Sequence, residues 1–316
     1  MSRPHAVVTG GAGFLGSHLV DALLADGYRV TSLDNFGSGR PANLAHVESD
    51  HFESLTHDVR EPFPDFGRVD QVYHFASRAS PEDFASHAVE IALSNSQGAN
   101  NAFECARAHD ATTVLASTSE VYGDPEVHPQ TEDYNGNVNV RGPRAPYDES
   151  KRFAEALGVA VRQQYGLDVR TVRIFNTYGP RIDPDDGRVV PTFLSQAIRG
   201  EDLTVYGDGS QTRSFCYVSD LVAGVRAVAE ADAETVAGEA INLGNTDERE
   251  IRDLAELVVD VVGSDAGIVH EDLPEDDPEV RRPDISKARR LLDWEPEVPL
   301  RAGLKRTLAA MREEVD

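Results

Sequence analysis

The chain is 316 residues long and 40% hydrophobic, enough for one large α/β domain and a smaller companion. Fifty-five acidic residues against thirty basic give a formal net charge of −25, which argues against a nucleic-acid partner because the phosphate backbone would be repelled. No stretch approaches the roughly 20 apolar residues that span a bilayer, so no membrane partner is expected.

The first five residues run straight into a strand-like segment, leaving no room for a signal peptide, and a cytoplasmic protein is expected. Cys105 and Cys216 lack metal-ligand spacing; buried free thiols are expected, and no metal. The negative charge is spread over periodic, foldable segments rather than gathered in a tail. Only three lysines occur: Lys151, Lys287 and Lys305. A halophile's solvated surface fits this balance, since high salt screens the repulsion among carboxylates.

In chain order, His5–Thr9 reads as a buried strand, 14–26 as a helix and Arg29–Asp34 as a second strand. Further strands are expected at 71–75, 113–117 and 169–175, separated by helices at 85–108 and 147–165. Alternating strands and helices of this length predict an α/β fold built on a Rossmann-type, doubly wound parallel sheet. After Gly179, Pro180, Pro184 and Pro191 break the chain into shorter elements. They predict a smaller C-terminal substrate-binding domain over the strand ends. The expected division gives 1–178 to the first domain and 179–213 with 241–316 to the second. Residues 214–240, opening with a strand and helix over 214–230, return to the first.

Thr9-Gly10-Gly11-Ala12-Gly13-Phe14-Leu15-Gly16 follows the first strand and opens the first helix. Gly10, Gly13 and Gly16 permit a tight turn and close backbone approach, so the helix N-terminus can face a pyrophosphate. Asp34 ends the second strand, with Asn35 and Phe36 behind it; a carboxylate there accepts from a ribose 2′-OH and repels a 2′-phosphate, favouring NAD over NADP. Asp58-Val59 and Phe75-Ala76-Ser77, at later strand ends, are expected near adenine and ribose.

Tyr147 and Lys151 lie one helical turn apart on one face. The ammonium is expected to stabilise the phenolate, letting a group with an ordinary pKa of about 10 act as acid and base nearer neutrality. Lys151 stands out in a chain otherwise built on arginine, whose larger fork is no substitute. Thr118, Ser119 and Glu120 leave an apolar strand for a loop, where Thr118 can hydrogen-bond a sugar hydroxyl or ketone.

The glycine motif, the Ser/Thr-Glu strand end and Tyr-x-x-x-Lys, in this order, resemble the extended short-chain dehydrogenases acting on nucleotide sugars. The stretch Leu115-Ala116-Ser117-Thr118-Ser119-Glu120-Val121-Tyr122-Gly123-Asp124-Pro125-Glu126-Val127-His128-Pro129-Gln130 is similar to the UDP-glucuronate decarboxylases in particular. So are Gly142-Pro143-Arg144, Arg173-Ile174-Phe175-Asn176-Thr177, Asp186-Gly187-Arg188-Val189-Val190, Leu203-Thr204-Val205-Tyr206-Gly207, Gly209-Ser210-Gln211-Thr212-Arg213 and Asp276-Asp277-Pro278 leading to Arg281-Arg282-Pro283-Asp284-Ile285.

The resemblance implies NAD-dependent oxidation of a UDP-sugar at C4, loss of carbon dioxide from the 4-ketone, and return of the hydride. It implies catalytic roles for Thr118, Ser119, Glu120, Tyr147, Lys151 and Arg281. It further implies substrate contacts from Asn176, Arg188, Val190, Tyr206, Gln211 and Arg213, with Arg281 shared between catalysis and binding. Arg282 reads as a surface ion pair. Ser119 stands where the related 4,6-dehydratases carry Asp; a neutral side chain avoids repelling the substrate carboxylate. Glu120 must then be protonated or turned away until carbon dioxide leaves. Similar decarboxylases carry lysines near Glu90 and Leu93; their absence here fits either the general loss of lysine or a substrate contact made differently, which leaves the contacts to the sugar carboxylate open. The expected helices at 85–108 and 147–165 form a homodimer interface in the family. Two other readings remain open: a UDP-sugar 4-epimerase using the same Thr-Tyr-Lys machinery, and a non-catalytic NAD-sensing scaffold.

Overall fold

The computed structural model describes residues 3–273 and 280–315. The first half alternates as expected: β1 (His5–Thr9), α1 (Phe14–Ala25), β2 (Arg29–Asp34), β3 (Phe52–Thr56), β4 (Gln71–His74), α2 (Asp83–Ser86), α3 (Ala88–His109), β5 (Thr112–Thr118), α4 (Ala145–Tyr165) and β6 (Val169–Ile174). Shorter elements follow: β7 (Thr177–Tyr178), α5 (Val189–Arg199), β8 (Leu203–Tyr206), β9 (Thr212–Ser214), β10 (Cys216–Tyr217), α6 (Val218–Glu230), α7 (Ala233–Val236) and β11 (Ala240–Leu243). The chain closes with β12 (Glu248–Glu250), α8 (Ile251–Val262), β13 (Ile268–Glu271), β14 (Val280–Arg281), α9 (Ser286–Leu292) and α10 (Leu300–Val315).

Seven strands form one parallel sheet in the order β11-β6-β5-β4-β1-β2-β3, a doubly wound arrangement whose direction reverses between β1 and β4. Side chains alternate across it. Ala6, Val8, Val114 and Val172 pack with Leu19, Val20 and Leu23 of α1 and Leu221 and Val225 of α6. Val7, Val72 and Leu115 face Ala102 and Phe103 of α3 and Ala154 and Val161 of α4. The period of two along each strand fills both faces, as a sheet covered by helices requires.

Three expectations need correction. The helix expected at 85–108 is two helices, because the backbone at His87 (φ −124, ψ 22) leaves the helical region with no Pro or Gly to announce it. β3 was not expected: Phe52–Thr56 is an outer strand, mostly exposed, so it lacks an apolar run. The domain boundary expected at 240/241 cuts through β11, which pairs with β6 in the main sheet. Both cysteines are buried free thiols.

The remaining small sheets gather over the carboxyl ends of the main strands. β9 pairs with both β12 and β14, and its register sets Arg213 opposite Arg281. Trp294 donates to the Asp220 carbonyl at 2.9 Å, and the Asp220 carboxylate accepts the Glu297 and Val298 amides, fastening the C-terminal segment to α6.

Candidate active site

A cleft of about 630 Å³ lies where the strand order reverses. After Thr9 the chain turns through Gly10, whose φ of +70 suits glycine. A Cβ on Gly10 would lie 2.8 Å from the Ala76 amide nitrogen, and one on Gly16 only 2.0 Å from the Gly10 carbonyl. These glycines let the first turn of α1, with its free N–H groups, sit against the strand ends. Thr9 Oγ1 accepts the Phe75 and Ala76 amides at 3.1 Å each, joining the loop after β4 to the turn.

Asp34 is buried at the end of β2. It accepts the Ala12 amide at 2.9 Å and the Phe36 amide at 2.8 Å, one on each oxygen. Burial pushes its carboxyl upward and the two N–H bonds oppose that rise. Each oxygen keeps a lone pair, so the glycine cradle and this acceptor pair fit a dinucleotide with a free ribose diol. All the expected cofactor contacts line the cleft except Phe36 and Asp58. Phe36, at φ 56, packs against the main core. Asp58 is held by Arg60, whose hydrogen bonds bring the carboxyl down to about 2.

β5 ends at Thr118, whose Oγ1 accepts the Glu120 amide at 3.3 Å and begins one tight helical turn, Ser119–Tyr122. Across the cleft, Asn95 of α3 donates to Ser150 at 3.0 Å, and Ser150 donates to the Tyr147 carbonyl. Tyr147 stacks on Phe84 with ring centres 5.1 Å apart, and the Thr118 hydroxyl hydrogen-bonds its phenol.

The electrostatics of this pair depart from expectation. Burial, with the nearby Glu120 charge, pushes the Tyr147 phenol up to about 12 despite the Thr118 bond. Burial also lowers the Lys151 ammonium to about 8. Lys151 Nζ donates to the Ala116 carbonyl at 2.8 Å and stands 5.9 Å from the Tyr147 ring centre. Within the chain alone, Lys151 does not bring the phenol toward neutrality.

Glu120 is gripped by two guanidiniums. Arg144 Nη2 donates to Oε2 at 2.6 Å and Arg281 Nη1 donates to Oε1. Burial would raise this carboxyl, but the charges of Arg281 and Arg144 hold it well below the usual carboxylate range. Asp148, buried alongside, is pushed well above that range by burial and by Glu120, and its Oδ1 finds no partner among the described residues. Two guanidiniums therefore hold one carboxylate, one at each oxygen.

The expected substrate contacts all line the same cleft. Asn176 Nδ2 and Arg281 Nε are buried donors without a partner among the described residues, as groups awaiting a ligand would be. Arg188 pairs with Asp186, and Tyr206 stands at the rim, 43% exposed. Arg282 pairs with Glu248, the ion-pair role expected of it. Asp276, Asp277 and Pro278 lie outside the described residues. Sequence reasoning gave no role to Arg144, Phe84, Asp148 or Arg78. Glu90, where similar decarboxylases carry lysine, accepts from Arg78 at 3.0 Å.

A family model described as the NAD dependent epimerase/dehydratase family matches residues 6–244. UDP-glucuronic acid decarboxylase 1 of Xenopus tropicalis is 49% identical over 99% of this chain and 73% of its own length. The protein of that name from Arabidopsis thaliana is 49% identical over 99% of this chain and 71% of its own. Among solved structures, dTDP-glucose 4,6-dehydratase from Streptomyces venezuelae, with NAD bound, superposes with a TM-score of 0.87 at 31% identity, covering 98% of this chain and 97% of that one.

Proposed function

The chain belongs to the NAD dependent epimerase/dehydratase family, and from that premise we propose that it decarboxylates UDP-glucuronate to UDP-xylose. The observation that carries the reading is the Arg144–Glu120–Arg281 cluster beside the neutral Ser119. Arg281 Nε, a buried donor without a partner among the described residues, suits a substrate carboxylate, and Ser119 adds no repulsion.

The glycine turn and Asp34 would hold NAD, which when bound would supply the hydride acceptor for the sugar C4 and the donor that restores it. Tyr147 takes the proton of the 4-hydroxyl, with Thr118 holding that oxygen. Lys151 keeps a positive charge beneath Tyr147. The 4-ketone lies β to the C5 carboxylate, so the bond to carbon dioxide breaks with its electrons delocalised into the ketone. Arg281 and Arg144 hold the carboxylate until it leaves, C5 then takes a proton from solvent in place of the lost carbon dioxide, and Tyr147 returns its own proton to the reduced oxygen. Asn176, Arg188, Val190, Tyr206, Gln211 and Arg213 are the residues proposed to hold the UDP half.

Carbon dioxide and a UDP-pentose, followed by mass after incubation with UDP-glucuronate, are the expected products. Retention of the carboxylate with inversion at C4 would sink the decarboxylase reading in favour of the epimerase. The scaffold reading has little support, since Thr118, Tyr147 and Lys151 are all present and line the cleft.

A homodimer through α3 and α4 belongs to the same proposal. Val89 (73% exposed) and Leu93 on α3, with Phe153 (51% exposed) and Val159 on α4, leave apolar surface on both helices. Among the described residues no helix is long and apolar enough to cross a membrane, which is compatible with the proposed cytoplasmic location. The halophilic character rests on the charge balance alone.

A further inference from the structure

Arg78 leaves the loop after β4 and reaches across the adenosine side of the cleft. Its Nε donates to Glu90 on α3 at 3.0 Å, and Nη1 lies 3.3 Å from both oxygens of Asp83 on α2. The side chain is only 15% exposed. Its far edge meets the opposite loop: a Cβ on Gly37 would lie 2.9 Å from Nη2. Gly37 belongs to the loop that follows Asp34, and its amide donates to Asn35 Oδ1 at 2.9 Å. One side chain thus connects the two loops that flank the proposed ribose site, one carrying Asp34 and the other Ala76 and Ser77.

The charges around Arg78 decide what it does. Two carboxylates already oppose its single positive charge, so the trio is net negative and is a poor anchor for a diphosphate. The two ion pairs instead fix the direction of the guanidinium, at low cost in side-chain entropy because its planar fork is preorganised. Partly buried pairs of this kind are screened less by salt than exposed ones. NAD is regenerated in each cycle of the proposed reaction, so nothing in turnover requires it to leave.

We propose that Arg78 is a cofactor-retaining clasp, held against Gly37 by Asp83 and Glu90, which must swing aside before NAD can leave. This deepens the NAD assignment and rests on it. The clasp acts on the adenosine half of the cofactor and has no part in proton transfer at Tyr147.

The test is the rate at which bound NADH is released into excess NAD, read by loss of its fluorescence with no sugar present. Arg78→Ala is expected to speed release about ten-fold, and Glu90→Gln about three-fold, by loosening charge-assisted bonds. The double variant should release no faster than Arg78→Ala, because both act through one side chain. ADP-ribose should bind the Arg78→Ala variant more weakly than the parent, and nicotinamide mononucleotide equally well. Glu90→Gln keeps Arg78 in the chain and guards against misfolding of the alanine variant. Unchanged release in both single variants, or effects that multiply in the double, would overturn the clasp. A parent protein that binds no NADH would overturn the cofactor assignment itself, which separates the two failures.

Discussion

Arg144 and Glu120 stand 2.6 Å apart, nitrogen to oxygen, and Arg281 occupies the other carboxylate oxygen from 161 residues further along the chain. This carboxylate is held at both oxygens, and the two guanidinium charges favour its ionised form. Arg144→Gln removes one of the two guanidinium charges. The dissociation constant for UDP-glucuronate is expected to rise about ten-fold, the weight of one charge-assisted contact. UDP-glucose, which lacks the carboxylate, should lose far less. Equal weakening of the two sugars in a titration would reduce Arg144 to a support for the loop.

Ser119→Asp introduces a second negative charge beside Glu120. UDP-glucuronate should bind more weakly and turn over more slowly, since repulsion acts on the ground state before carbon dioxide leaves. UDP-glucose should bind the variant nearly as well as the parent. Undiminished decarboxylation would mean that Ser119 does not face the carboxylate.

Lys151 gives the reaction a basic limit. Burial favours its neutral form, so the ammonium is present below about pH 8 and is lost as pH rises through that value. Turnover at saturating substrate should therefore fall above about pH 8. Lys151→Met should remove most activity at every pH while the protein stays folded. A profile flat to about pH 10, where an unperturbed lysine titrates, would contradict the argument.

Asp34 accepts the Ala12 and Phe36 amides, and the proposed ribose contact would use its remaining lone pairs. The parent should bind NAD well ahead of NADP. Asp34→Ser should narrow that preference by about ten-fold. It should also cost about 1–2 kcal/mol of stability, because two amides lose a charged acceptor. Equal parental affinity for the two cofactors would refute the selectivity.

The acidic surface predicts salt dependence. With a net charge of −25, self-repulsion is strongest in dilute buffer, and the melting temperature should fall on dialysis from salt on the order of molar into low salt. A melting temperature indifferent to that change would remove the halophile inference.

The most legible parts of the sequence were those written locally. Gly10, Gly13, Gly16 and Asp34 sit in one strand-turn-helix-strand unit, and Tyr147 and Lys151 sit on adjacent turns of one helix. β3 was not legible because an outer strand half in water carries no apolar run. Arg144 and Arg78 were not legible for a different reason. In so acidic a chain an arginine most simply makes a surface ion pair, and only the fold brings Arg144 to Glu120 and Arg78 to Gly37. The ionisation of Glu120 likewise depended on Arg281, a partner far away in the chain.

The pairing of β11 with β6 also sets an order on synthesis. β6 is complete at Ile174, but the strand that covers its outer edge does not emerge until Ala240–Leu243. During that interval the nascent chain carries a strand, buried in the finished fold over Val169–Val172, with unpaired backbone groups, the kind of edge that recruits other chains. A fragment ending at 178 would keep that exposure permanently. It would hold the glycine turn, Tyr147 and Lys151, yet it would be prone to aggregate. The first 178 residues are therefore poor material for an isolated cofactor-binding module, and a usable one must extend through Leu243.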